Sequence, residues 1–194
     1  MNMNKISIIP ICLLFCSLSN AQLTTSKVNG GPVVTKLSSN IKVNDGSTLT
    51  REWIVINDEK CPIQLKDVGI NSVYISGDGY QFKVIGTLNT SEPIAAYEIH
   101  HVLYDVFGGH LTSLNSIDIK DINGPIDLSQ SRGNWNPSEN EVSEYLSCVS
   151  YVAAVRTSKG VIWRFKPELI KQELSKIQIA YEEGYSPSPE KKEK

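Results

Sequence analysis

The sequence predicts a mainly β protein, an immunoglobulin-like antiparallel β-sandwich with a C-terminal α-helix. Three observations carry that expectation. Apolar residues recur at every second position from 80 to 88 (Tyr80, Phe82, Val84, Leu88, with Gly86 in the series), the period of a strand with one buried face. Short apolar runs are separated throughout by turn chemistry such as Asn44-Asp45-Gly46-Ser47, Ser76-Gly77-Asp78-Gly79 and Thr157-Ser158-Lys159-Gly160. Helical spacing is confined to one short segment near 138–146 and to the C-terminal region.

The chain opens on Lys5, an apolar run from Ile6 to Leu18, and Ser19-Asn20-Ala21 before Gln22. A charged head, an apolar segment shorter than the roughly 20 residues of a membrane span, and small residues at a cleavage point predict a signal peptide over 1–21. The expected location is therefore periplasmic or secreted, with no membrane span after cleavage. Charge is nearly balanced, with 19 basic and 21 acidic residues, and no basic face is clustered as nucleic-acid binding requires. With the signal removed, two of the four cysteines remain, Cys61 and Cys148. In an oxidising compartment they predict a disulfide, which would constrain the unfolded chain by about 4–5 kcal/mol; the alternative is two buried thiols.

Residues 22–39 are polar and small and read as a flexible N-terminal arm with one edge strand near 33–37. The domain itself is expected over 40–180. Asp45-Gly46 favours a tight reversal into a strand at 51–57, where Trp53 and Val55 share one side and Ile54 and Ile56 the other, as in a central strand. Pro62 holds the next segment near an edge. The strand from Tyr80 ends in the polar run Asn89-Thr90-Ser91-Glu92-Pro93, and a longer strand follows as its hairpin partner, in which Tyr97, Ile99, Leu103 and Phe107 share a side. Gly108-Gly109 turns the chain into a strand containing Leu114, Ile117 and Ile119. Ser138 and Glu141 have the spacing of a capping box, and 148–156 with 161–165 form a terminal hairpin. Pro167 suits a first helical turn, with Leu169, Ile170, Leu174 and Ile177 on one stripe; residues 184–194 are expected to be disordered.

The strand ending in Gly86, the polar turn near Asn89, and the strand running into Leu103-Tyr104-Asp105 and a Gly-Gly turn together resemble the FxLYD-type immunoglobulin-like domain of exported bacterial proteins. His101 stands at that signature's aromatic position. Arg51-Glu52-Trp53, Cys61-Pro62, Tyr104-Asp105-Val106-Phe107-Gly108 and Val161-Ile162-Trp163-Arg164 are similar to runs in a wider group of exported bacterial proteins. The resemblance implies a fold and carries no activity.

Chemistry-bearing patterns are few. His100, His101 and His110 cluster with Asp105, but adjacent strand residues face opposite ways, so His100 and His101 cannot share an ion without a bulge. His101 is expected at the core margin, with His100 and His110 solvated. No Gly-x-Ser-x-Gly or phosphate-binding glycine loop is present, and no catalytic, cofactor or metal residue is assigned. Asn89-Thr90-Ser91 matches a glycosylation acceptor. Trp135, between two asparagines in a long polar loop, is the candidate partner-binding residue. The function expected is a non-enzymatic envelope module that binds another envelope or secreted protein, or a surface glycan, through sheet edges or the loop at 123–136. The alternatives are a small secreted hydrolase with a loop-assembled site and a structural accessory domain without ligand.

Overall fold

A computed structural model describes residues 22–27, 32–42, 48–130 and 134–166. The signal peptide, the C-terminal helix and the terminal tail expected from the sequence lie outside the described residues. The strands are β1 (Gln22–Lys27), β2 (Val33–Lys42), β3 (Thr48–Asn57), β4 (Ile63–Ile75), β5 (Gly79–Thr90) and β6 (Ile94–Asp105). They continue with β7 (His110–Asp118), β8 (Ile126–Asp127), β9 (Asn134–Trp135), β10 (Tyr145–Thr157) and β11 (Ile162–Arg164). A short α-helix, α1 (Glu139–Glu144), begins at Ser138, whose side chain accepts from the Glu141 N–H while the Glu141 carboxylate accepts from the Ser138 N–H. This is the capping box expected from the spacing.

Among the described residues the strands form two sheets. The larger runs β1-β2-β3-β10-β6-β7, with β11 also on β10; the smaller runs β4-β5-β8, with β9 also on β5. Pairing is antiparallel except between β3 and β10, which run parallel from Glu52 beside Ser147 to Ile56 beside Tyr151. Between the sheets lies one apolar cluster that includes Val55, Ile63, Ile70, Phe82, Val84, Leu88, Ile99, Leu103, Cys148 and Val152. A second cluster, of Val34, Ile54, Ile56, Val102, Tyr104, Val149, Tyr151 and Phe165, lies on the outer face of the larger sheet.

Several expectations change. Within the expected arm, residues 22–27 and 33–39 are strands: β2 pairs with β3 from Val33–Asn57 to Lys42–Thr48, and β1 pairs with β2 in turn. A central strand with apolar residues on both faces needs a partner along each edge, and β2 supplies the second one to β3. The strands on either side of Asn89 exist at the expected places but do not form a hairpin. β5 pairs with β4 and β6 with β10 and β7, so residues 91–93 carry the chain from one sheet to the other. β6 ends at Asp105, which leaves Phe107 in the following turn, 94% exposed, rather than on the strand's buried side.

Two glycines permit close approaches, one between the sheets and one within the smaller sheet. An alanine at Gly69 would place its Cβ 2.4 Å from the Trp53 ring, so the indole lies directly on bare backbone. Gly86 has φ +113° and sits opposite the bulge at Asp67, whose own φ is +55°; a Cβ there would meet the Asp67 carbonyl oxygen at 2.6 Å.

Candidate functional site

A nucleophile, a hydroxyl and an imidazole do converge in this molecule. The Ser150 hydroxyl is 2.9 Å from His101 Nδ1 and 3.5 Å from the Cys148 sulfur. The register explains the meeting, because β10 runs antiparallel to β6 and places Ser150 opposite His101. All three groups lie inside the protein, each with no exposed surface. Burial pulls the His101 imidazole down to about 3, with His100 adding to the shift, and pushes the Cys148 thiol up to about 12. A neutral imidazole and a protonated thiol without access to solvent cannot activate a nucleophile for an incoming substrate. His101 Nε2 has no hydrogen-bond partner among the described residues; its ring meets Trp135 edge-on at 6.2 Å.

The expectation for His100 is corrected too. His100 is buried on the outer face rather than solvated, with Nε2 2.6 Å from a Glu98 carboxylate oxygen and Nδ1 3.2 Å from the Tyr151 hydroxyl. Asp105 faces neither histidine as a ligand would. Its carboxylate accepts from the N–H groups of Phe107 and Gly109, at 2.8 Å each, and fixes the turn between β6 and β7. No three His, Cys, Asp or Glu side chains converge as a metal site would require among the described residues.

Cys61 and Cys148 are both free and buried, so the expected disulfide is not formed. The register shows why. Cys148 lies beside Trp53, and β3 continues to Asn57 before the turn that carries Cys61. At about 3.3 Å per residue this separates Cys148 from that end of the strand by ~13 Å, well past the ~7 Å reach of a disulfide. The Cys61 sulfur instead accepts from the Ile63 N–H at 3.4 Å.

Trp135 is half-buried and belongs to a strand. It pairs with Phe82, and antiparallel partners point to the same side, so the indole turns inward onto the core instead of projecting from a polar loop. The expected anchor is therefore part of the packing.

A second polar chain ties the two sheets together. Tyr145 donates to the Ile70 carbonyl at 2.8 Å and accepts from the Trp53 indole N–H at 3.0 Å. The Arg51 guanidinium lies 4.5 Å from the Tyr145 ring centre and donates to Ser72 and to the Val142 carbonyl. Burial raises the Tyr145 pKa, which keeps its hydroxyl protonated as the donor to Ile70, whereas for Arg51 the same burial lowers the pKa and works against the guanidinium's charge.

What remains accessible is an edge. β7 is the last strand of the larger sheet, bonded to β6 on one side, with no further strand on the other among the described residues. Its sequence, His110 to Asp118, contains no proline and no lysine or arginine, the residues that usually blunt an edge. Ile117 is 65% exposed on it, and Ile119 just beyond is 81% exposed. Comparison with protein-family models, with curated proteins and with solved structures found no match.

Proposed function

We propose that this chain is a non-enzymatic binding module of the bacterial cell envelope, exported by its signal sequence, which takes up an extended segment of a partner protein along β7. The observation that supports the reading most is the open, unblunted edge of β7 beside two exposed isoleucines. An added strand satisfies unpaired backbone groups, and alternate side chains dock on the flanking apolar surface. In the same reading the fold is immunoglobulin-like and of the FxLYD type, with a helix following Pro167. Leu103 and Tyr104 are both fully buried and Asp105 organises the turn, which gives each residue of that signature a structural role. Enclosure of His101, Ser150 and Cys148 disfavours the hydrolase alternative.

The test is capture of a partner from the protein's own envelope fraction by the mature chain and by Ile117→Lys. A lysine on the edge is expected to abolish capture while leaving the unfolding midpoint within ~0.5 kcal/mol, as surface substitutions usually do. Trp135→Ala serves as contrast, since it loosens the core without touching the edge. Capture that survives Ile117→Lys contradicts the proposal.

A further inference from the structure

The hairpin of β10 and β11 carries positive charge and exposed apolar surface side by side. No aspartate or glutamate occurs between Glu144 and Glu168, a stretch that holds Arg156, Lys159, Arg164 and Lys166, in a chain whose total is 19 basic against 21 acidic residues. All four cations are exposed, and none is in an ion pair among the described residues. Among them stand Val161, 60% exposed, and Ile162, 59% exposed. A single apolar residue on a surface needs no explanation; two adjacent β-branched ones rimmed by cations ask for one.

The register sets the pattern. Arg156 lies opposite Ile162 and Ala154 opposite Arg164, and antiparallel partners share a side. Ile162 therefore has one guanidinium across the ladder and another two residues along its own strand, on the same face. The turn itself is fixed. The Thr157 N–H donates to the Val161 carbonyl at 2.9 Å, the Val161 N–H to the Thr157 hydroxyl at 3.2 Å, and the Gly160 N–H to the Thr157 carbonyl at 2.9 Å. A further bond, from the Ser158 N–H to the Pro93 carbonyl at 3.0 Å, ties the turn to the crossing between the sheets. Exposure of Val161 and Ile162 is thus built into the hairpin.

We propose that this hairpin docks on the surface of an anionic phospholipid bilayer, with Val161 and Ile162 entering the boundary between headgroups and acyl chains and the four cations meeting headgroup phosphates. Cations alone would suit any polyanion. The aliphatic pair decides, because it gains burial from acyl chains and nothing from a soluble polyanion. A short apolar insertion and a basic rim are the two signals that together hold a protein on such a surface. Carboxylates nearby do not cancel the rim. Glu98 lies 2.6 Å from His100 and Asp118 2.9 Å from Lys120. Glu92 and Asp121 lie within two residues of the Ile94 to Ile122 bridge beside Thr157, and set two charges against four. The inference stands apart from the β7 proposal, since either can hold without the other.

The experiment is sedimentation of the mature chain from Gln22 with vesicles of phosphatidylcholine alone and of an equal mixture with phosphatidylglycerol. Binding is expected to the mixed vesicles only, and should weaken as salt rises. Arg156→Gln with Arg164→Gln should weaken it by roughly fivefold per charge removed. Val161→Thr with Ile162→Thr keeps every charge and the β-branched shape and should weaken it by about tenfold; Ile162→Thr alone replaces the pair if the pair does not fold. Both sets lie on the surface and should leave the unfolding midpoint unchanged. No sedimentation with the mixed vesicles at low salt, or binding undiminished by the arginine substitutions, overturns the proposal. Binding that falls with the arginine substitutions yet is untouched by the threonine substitutions also overturns it, and makes the partner a soluble polyanion.

Discussion

The two faces of the larger sheet are both buried, yet they are built by different rules. Toward the smaller sheet, apolar packing is threaded by directional contacts: Trp53 to Tyr145 to the Ile70 carbonyl, Arg51 to Ser72 and Val142, Ser150 to His101. The Tyr145 to Ile70 and Arg51 to Ser72 bonds tie β10 and β3 to β4 and fix how one sheet sits on the other. On the outer face the cluster is almost wholly aliphatic and aromatic, with the His100 to Tyr151 contact at its margin. Such a surface is held by area and shape and has few contacts that specify one angle of approach. The inner face should therefore answer sharply to single substitutions and to pH. The outer face should answer chiefly to loss of area.

The largest effect is expected from Phe82→Ala, which empties a site between the sheets and should cost about 3–5 kcal/mol by urea unfolding. Ile54→Ala on the outer face should cost less, about 2–4 kcal/mol. Equal costs would erase the distinction between the faces.

Gly86→Ala comes next. The residue combines a positive φ with a backbone contact that a Cβ would violate, so a loss of about 2–3 kcal/mol is expected, measured in the same way.

Acidification probes the inner face through His101. His101 is held neutral by burial, with its folded pKa pulled to about 3, whereas in the unfolded chain it returns to about 6.5. Between those values the unfolded state binds one more proton, so stability is full above the unfolded pKa and is lost as pH falls below it. Going from pH 7 to pH 5 should remove about 2 kcal/mol through this group. His101→Gln should flatten that part of the profile, and an unaltered profile would show that the imidazole is charged or exposed in the folded protein.

The smallest effect is a null. With both thiols free, a reductant should leave the unfolding midpoint unchanged within ~0.5 kcal/mol, and thiol reagents should label Cys61 and Cys148 only after unfolding. A midpoint lowered by the reductant would restore the disulfide.

Much of the strand content was legible because alternation and turn chemistry are local. Tyr80 to Leu88, the Thr157–Gly160 reversal and the Ser138–Glu141 cap each announce themselves within a few residues. The centrality of β3 was also legible, since Ile54 and Ile56 have no reason to be apolar unless their side is covered. Sheet membership was not. Nothing in the residues around Asn89 distinguishes a hairpin from a crossing between sheets; that choice is made by the competing partners β4 and β10. Trp135 misled because a two-residue strand is too short to alternate, and its inward turn depends on pairing with Phe82. The cysteines misled because separation in sequence carries no information on separation along β3. The β7 edge was visible only as a strand with apolar residues on it. That its other side is open follows from the order of the sheet.

The central claim, that β7 offers a free edge, is tested most directly by residue-resolved amide hydrogen exchange on the isolated mature protein. Amides of β10, flanked on both sides, should exchange slowly throughout. Along β7 those bonded to β6 should be slow and those between them fast. Uniform protection along β7 to the level of β10 would mean that the edge is already occupied, and would contradict the account.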